Sequence, residues 1–192
     1  NSSNFEEADV PADALAIISP GNVGDMQRLP EIYRRKKVPF IFDPGQEIPL
    51  LSAEDLKNGI RGAKALISND YELNLIMRKT GLSEKDILEE TELLVTTLGE
   101  KGSCIRTKEK VYDVACAKVS SVVAPTGAGD GYRAGFIKGL LCNWPLEITG
   151  KFASVIAAYT IEAHGPQGQS FNLKLASERY ANAYADALPG TG

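Results

Sequence analysis

Gly127-Ala-Gly-Asp130 is the stretch whose residue types could do chemistry. It lies inside Ala124-Pro-Thr-Gly-Ala-Gly-Asp-Gly-Tyr-Arg-Ala-Gly135, just before a segment patterned as a helix. The small residues Gly127, Ala128 and Gly129 let backbone N–H groups approach an anion, and a helix N-terminus adds positive potential. Asp130 falls in the first helical turn, at the mouth of that anion site. A carboxylate beside a phosphate costs electrostatic energy, so the arrangement needs a reason. Accepting a hydroxyl proton during phosphoryl transfer is one. The plain alternative is a glycine-rich loop followed by a helix-favourable acid. A dinucleotide fingerprint is another, since Gly127, Gly129 and Gly131 echo Gly-x-Gly. Against it, Pro125 intervenes where a strand should lead in directly, and only helices follow.

The elements that must position this loop read as alternating apolar runs and amphipathic stretches. Strands are predicted at Ala14–Ser19, Val38–Asp43, Ala65–Ser68 and Leu93–Thr97. Helices are predicted from Asp25 to Lys37, with Pro30 marking a later start, from Ser52 to about Gly62, from Asp70 to Thr80, and after Ser83. Ser103–Thr107 and Val111–Val119 read as two strands joined by the charged turn Lys108-Glu109-Lys110. Beyond Pro125 the chain turns helical, over about Gly129–Leu141, Leu146–His164 and Leu173–Leu188. Strands separated by helices imply parallel crossovers, hence a layered α/β/α sheet, mostly parallel, with a β-hairpin. No linker divides residues 1–192, which read as one α/β domain.

Composition sets the outer bounds. The chain has 192 residues, 43% of them hydrophobic, enough for a sizeable core. A net charge of −4 argues against a nucleic-acid binder. No apolar run approaches the roughly 20 residues that span a bilayer, and acids at Glu6, Glu7, Asp9 and Asp13 stand where a signal peptide would be basic, then apolar. Cys104, Cys116 and Cys142 are odd in number and form no Cys-x-x-Cys, which reads as free thiols in a reducing cytoplasm. His164, the one histidine, reads as structural near a helix end, and Arg133 as part of a solvated face.

Pro125-Thr-Gly-Ala-Gly-Asp130 with Ala134-Gly135 resembles the second signature of the PfkB, or ribokinase-like, carbohydrate kinases. Asn69-Asp-Tyr-Glu72 resembles the family's Asn-x-x-Glu motif, and Thr97-Leu-Gly-Glu-Lys-Gly102 its nucleotide-site strand and turn. Phe152-Ala-Ser154 and the helix running to His164-Gly-Pro-Gln167 resemble its adenine-side helix and closing loop. The resemblance implies an ATP-dependent kinase acting on a hydroxyl of a sugar or nucleoside. Asp130 would be the catalytic base, and Gly127, Ala128 and Gly129 the anion hole. Asn69 and Glu72 would organise Mg²⁺ through water, as an amide and a carboxylate suit a hard cation; the plain reading of the pair is a helix cap. Thr97, Gly99, Gly102, Ser154 and Gly165 would lie along the nucleotide; the plain reading of the Thr97–Gly102 stretch is a turn.

Asp43-Pro-Gly-Gln46 and Gly165-Pro-Gln167 are similar to sequences in bacterial and archaeal adenosine or nucleoside kinases. Many members carry an acid six residues before the base, helping to hold a monovalent cation. Ala124 stands there, which predicts weak or no potassium dependence. The family's Gly-Gly motif, lid strands and most acceptor-binding residues have no counterpart here, so the chain is expected to be the C-terminal, ATP-binding part of such a kinase. A small-molecule acceptor, no nucleic acid, no membrane and a cytoplasmic setting follow from the resemblance, which also admits a homodimer. A non-catalytic nucleotide-binding module is the alternative.

Overall fold

The computed structural model describes residues 10–11, 13–123, 127–163 and 171–189. The chain forms two compact units. One runs to Thr97 and includes Arg106–Val111; the other comprises Leu98–Ile105 and the chain from Tyr112 onward.

The first unit alternates strand and helix: β1 (Ala16–Ile18), α1 (Val23–Lys36), β2 (Phe40–Phe42), α2 (Ala53–Ile60), β3 (Ala65–Asn69), α3 (Asp70–Thr80), α4 (Glu84–Glu90) and β4 (Leu93–Thr97). The strands pair in parallel in chain order, with Ala16 opposite Phe40, Ile41 opposite Ala65 and Leu66 opposite Leu94. Each connection must therefore cross over, and the helices supply the crossovers. Phe40 and Phe42, two residues apart on β2, and Leu66 and Leu94 on the next two strands join Leu56, Ile60, Leu73, Ile76 and Ile87 in one buried cluster. Side chains at the N-termini start these helices. Asn22 accepts from the Asp25 N–H, and Ser52 with Asp55, Asn69 with Glu72 and Ser83 with Asp86 form reciprocal capping boxes.

Pro30 does not open α1. The helix begins seven residues earlier, behind the Asn22 cap, and Pro30 lies inside it. Its ring forfeits one intrahelical bond, but it is buried on the same face as Met26 and Tyr33, and that packing offsets the loss.

β5 (Ser103–Arg106) and β6 (Val111–Val114), most of whose residues belong to the second unit, are neighbouring strands. The short turn between them, closed by Thr107 N–H donating to the Lys110 carbonyl, makes them an antiparallel hairpin. The helices α5 (Ala128–Leu141), α6 (Leu146–Glu162) and α7 (Leu173–Tyr184) follow. Phe152, Val155, Ala158, Ala176, Tyr180 and Leu188 form the buried cluster between α6 and α7. β6 ends at Val114 rather than Val119. The next residues leave the ladder because distant side chains take their backbone groups: Tyr184 Oη donates to the Ala115 carbonyl, and Ser154 Oγ accepts from the Ala117 N–H. α7 likewise stops at Tyr184, where Ala185 turns left-handed at φ 49°.

Candidate functional site

The Gly127 turn is built by the start of α5. Gly127 is the N-cap, at φ 92° and ψ −5°, a left-handed conformation that glycine adopts without a Cβ penalty. Its carbonyl accepts the first helical bond, from the Gly131 N–H at 2.9 Å. Among the described residues no side chain caps this helix, so the first amides, on Ala128, Gly129 and Asp130, are oriented along the axis for an acceptor from outside. Among the described residues, a Cβ placed on Gly129 would meet only Arg133 Nη1, at 4.0 Å. The Asp130 side chain is 69% exposed and ion-pairs with Arg133, itself 21% exposed, one turn further on.

Behind Gly129 the first turns of α5 are locked. Tyr132 is buried and its hydroxyl donates to Ser103 Oγ at 2.7 Å; burial pushes its pKa up. Gly131, Gly135 and Gly139 form a stripe at every fourth residue that lies against α6. A Cβ on Gly135 would come within 2.6 Å of the Ala153 Cα, and one on Gly139 within 2.6 Å of Thr149 Oγ1. The stripe lets the two helices approach closely and so fixes where α5 begins. Sequence reading missed this use of the glycines; the period of four was the available signal.

The other predicted residues fall as follows. Asn69 ends β3 and caps α3. Asn69 Oδ1 accepts from the Glu72 N–H at 2.8 Å and Glu72 Oε2 accepts from the Asn69 N–H at 2.9 Å. The cap reading of this pair is thus realised, and it holds an amide and a carboxylate together at a strand's C-terminal end. Thr97 ends β4, half-buried. Gly99 opens a 3-10 turn, Gly99–Lys101, at φ 59° with open space around it. Gly102 closes the turn at φ 93°, and a Cβ there would overlap the Val114 carbonyl, so hairpin packing alone demands this glycine. Ser154 is buried in α6, with its Oγ bonded to the Ala117 N–H at 2.8 Å. Ala124, Pro125, Thr126, His164, Gly165 and Gln167 lie outside the described residues. Within the second unit the turn residues Gly127, Ala128, Gly129 and Asp130 are contiguous.

Among the described residues no group of three or more His, Cys, Asp and Glu gathers to hold a metal. Asn69 and Glu72 supply hard oxygens but no cage. That donor set suits Mg²⁺, which keeps several waters and binds through one or two carboxylates plus phosphate oxygens. No described helix is long and apolar enough to cross a membrane.

Parallel strands with helical crossovers define an α/β protein, and α5 opens on amides beside a carboxylate. Residues 4–172 match the pfkB family carbohydrate kinases, and the chain belongs to that family. The nucleoside kinase of Methanocaldococcus jannaschii is 38% identical over 126 residues, covering 66% of this chain and 42% of that protein. The structure of Burkholderia thailandensis nucleoside kinase in complex with inosine superposes with a TM-score of 0.88 at 33% identity, covering 90% of this chain and 57% of that one. Arabidopsis thaliana ribokinase, complexed with ribose and ATP, shares the fold with a TM-score of 0.68 at 16% identity. The fold is thus ribokinase-like, as the motif pattern predicts, and the dinucleotide reading falls away. The chain spans about half the length of the curated relatives it matches.

Proposed function

We propose that the protein is an ATP-dependent kinase that transfers the γ-phosphoryl group to a hydroxyl of a nucleoside, with free sugars as poorer acceptors. One observation carries the reading: an exposed carboxylate, Asp130, in the first turn of a helix whose Gly127-Ala-Gly129 entrance leaves its amides uncapped. Asp130 accepts the proton of the acceptor hydroxyl as its oxygen bonds to the γ-phosphorus and the bond to the ADP oxygen breaks. The amides at the start of α5 meet the charge on the phosphoryl oxygens, preorganised and needing no rearrangement. Arg133 pairs with the Asp130 carboxylate and restrains its direction. Asn69 and Glu72 would hold Mg²⁺ through water, and the ion would supply neutralising charge at the phosphates. Thr97, Gly99, Gly102, Ser154 and Gly165 belong to the nucleotide side, Ser154 by fixing the backbone at Ala117. With Ala124 in place of an acid, potassium has little effect on the rate.

The nucleoside preference is supported by the relatives: those of 31–38% identity are named nucleoside kinases, and the Burkholderia enzyme binds inosine. The test gives the full-length protein a panel of inosine, adenosine, cytidine, ribose and fructose with ATP and Mg²⁺, following ADP and phosphorylated product. The expected result is a kcat/KM for one nucleoside at least about tenfold above either sugar. ATP binding without turnover on any acceptor would instead favour a nucleotide-binding module.

A further inference from the structure

Residues 115–123, after β6, form no helix or strand, yet their backbone is hung on α6 and α7 at successive points. The Lys118 carbonyl accepts from Arg179 Nη2 at 2.8 Å, the Ser120 N–H donates to Glu162 Oε1 at 2.6 Å, and the Val123 N–H donates to the Ile161 carbonyl at 3.0 Å. Ile161 lies in the last turn of α6, where carbonyls have no partner within the helix. The incoming chain therefore serves as that helix's C-terminal cap. Arg179 and Glu162 hold each other through two parallel bonds, of 2.6 and 2.8 Å, and their side chains are only 18% and 19% exposed. The Arg179 guanidinium lies 4.6 Å from the Tyr159 ring centre, which stacks at 4.6 Å on Phe171. A planar fork satisfies two carboxylate oxygens and a carbonyl together; an ammonium point charge does not.

Val123 is four residues before Gly127. We propose that Arg179 and Glu162 are positioning residues for phosphoryl transfer: they hold the chain at Lys118 and Ser120, upstream of the turn that carries the α5 amides and Asp130. The inference rests on the kinase reading. Misplacing reacting groups by about 1 Å costs on the order of 10²-fold in rate, so a clamp several residues from the chemistry has leverage on kcat.

The test compares wild type with Arg179→Ala, Arg179→Lys, Glu162→Gln and the control Tyr180→Phe, which removes a 3.3 Å bond to Asp186, just past the end of α7. Readouts are kcat, KM for ATP, and hydrogen exchange at the Ser120 and Val123 amides. Arg179→Ala is expected to lower kcat by about 10–100-fold with KM for ATP within about threefold, and to speed exchange at both amides. Arg179→Lys and Glu162→Gln, the milder changes in size and hydrogen bonding, should fall between it and wild type in both readouts. Three results overturn the proposal: kcat within about twofold of wild type while the amides exchange faster, a kcat loss without faster exchange, or the same kcat loss in Tyr180→Phe. Turnover of no acceptor by the full-length wild-type protein refutes the kinase reading itself, and the clamp's catalytic role with it.

Discussion

Asp130 is the third residue of α5, and its carboxylate is exposed, paired with Arg133 and adjacent to uncapped amides. If it is the base, Asp130→Asn keeps the shape of the turn but cannot take a proton. Turnover should fall by about 10²–10⁴-fold, while ATP binding, followed by calorimetry, stays near wild type; a variant of near-normal kcat would remove Asp130 from this role. Glu72 poses a subtler question, because its capping-box bond accounts for its position without any metal. Glu72→Gln separates the two roles, since a glutamine oxygen can still accept from the Asn69 N–H. The thermal midpoint should hold, and the Mg²⁺ concentration for half-maximal rate should rise. An unchanged Mg²⁺ dependence would leave the pair as a cap. The contiguous turn was legible in sequence because glycine, small residue and acid each have one physical reason to sit at a helix start. Ser154 was not legible as a buried anchor, since its partner Ala117 lies 37 residues away.

The helices of the first unit were nearly all readable because their start signals are local. Ser52 and Ser83, each followed three residues later by an acid, announce the boxes the structure contains. Elements ended by distant partners were not: β6 stops where Tyr184, 69 residues on, claims the Ala115 carbonyl. Pro30 misled because burial beside Met26 and Tyr33, which local propensity does not contain, sustains α1 through it. The α5 stripe of Gly131, Gly135 and Gly139 likewise has its meaning in α6. It carries a prediction. Gly135→Ala should raise helix propensity yet destabilise, because the added methyl meets the Ala153 backbone, which cannot swing aside as a side chain could. The expected loss is about 1–3 kcal/mol by urea unfolding. Gly129→Ala, whose Cβ would meet only Arg133 Nη1 among the described residues, serves as the contrast and should be neutral or stabilising. Equal effects from the two would mean that the stripe does not set the helix approach.

At the scale of the whole molecule, carboxylates and phenols that folding perturbs among the described residues bound stability from opposite sides of pH. Hydrogen bonds from Ser52 hold Asp55 below the usual carboxylate range, those from Ser83 do the same for Asp86, and the Arg179 guanidinium does so for Glu162. A depressed carboxylate contributes stability that is present above its unfolded pKa, about 4, and lost as pH falls through the lower folded value. Burial moves the phenols of Tyr132 and Tyr180 the other way, upward. Their contribution is complete below the unfolded pKa of about 10 and declines as pH rises toward the folded value, because the unfolded chain ionises first. Thermal midpoints should therefore form a plateau from about pH 5 to 9, with separate acid and alkaline limbs. Tyr132→Phe distinguishes the alkaline limb from general charge repulsion in this net-acidic chain. Removing the hydroxyl and its bond to Ser103 should lower the midpoint at pH 7, by about 1 kcal/mol of stability. The same change deletes one proton that the unfolded state releases above pH 10, so the fall in midpoint between pH 9 and 11 should be shallower than in wild type. A parallel fall in both proteins would assign the limb to repulsion among surface carboxylates and leave the buried phenol without a part in it.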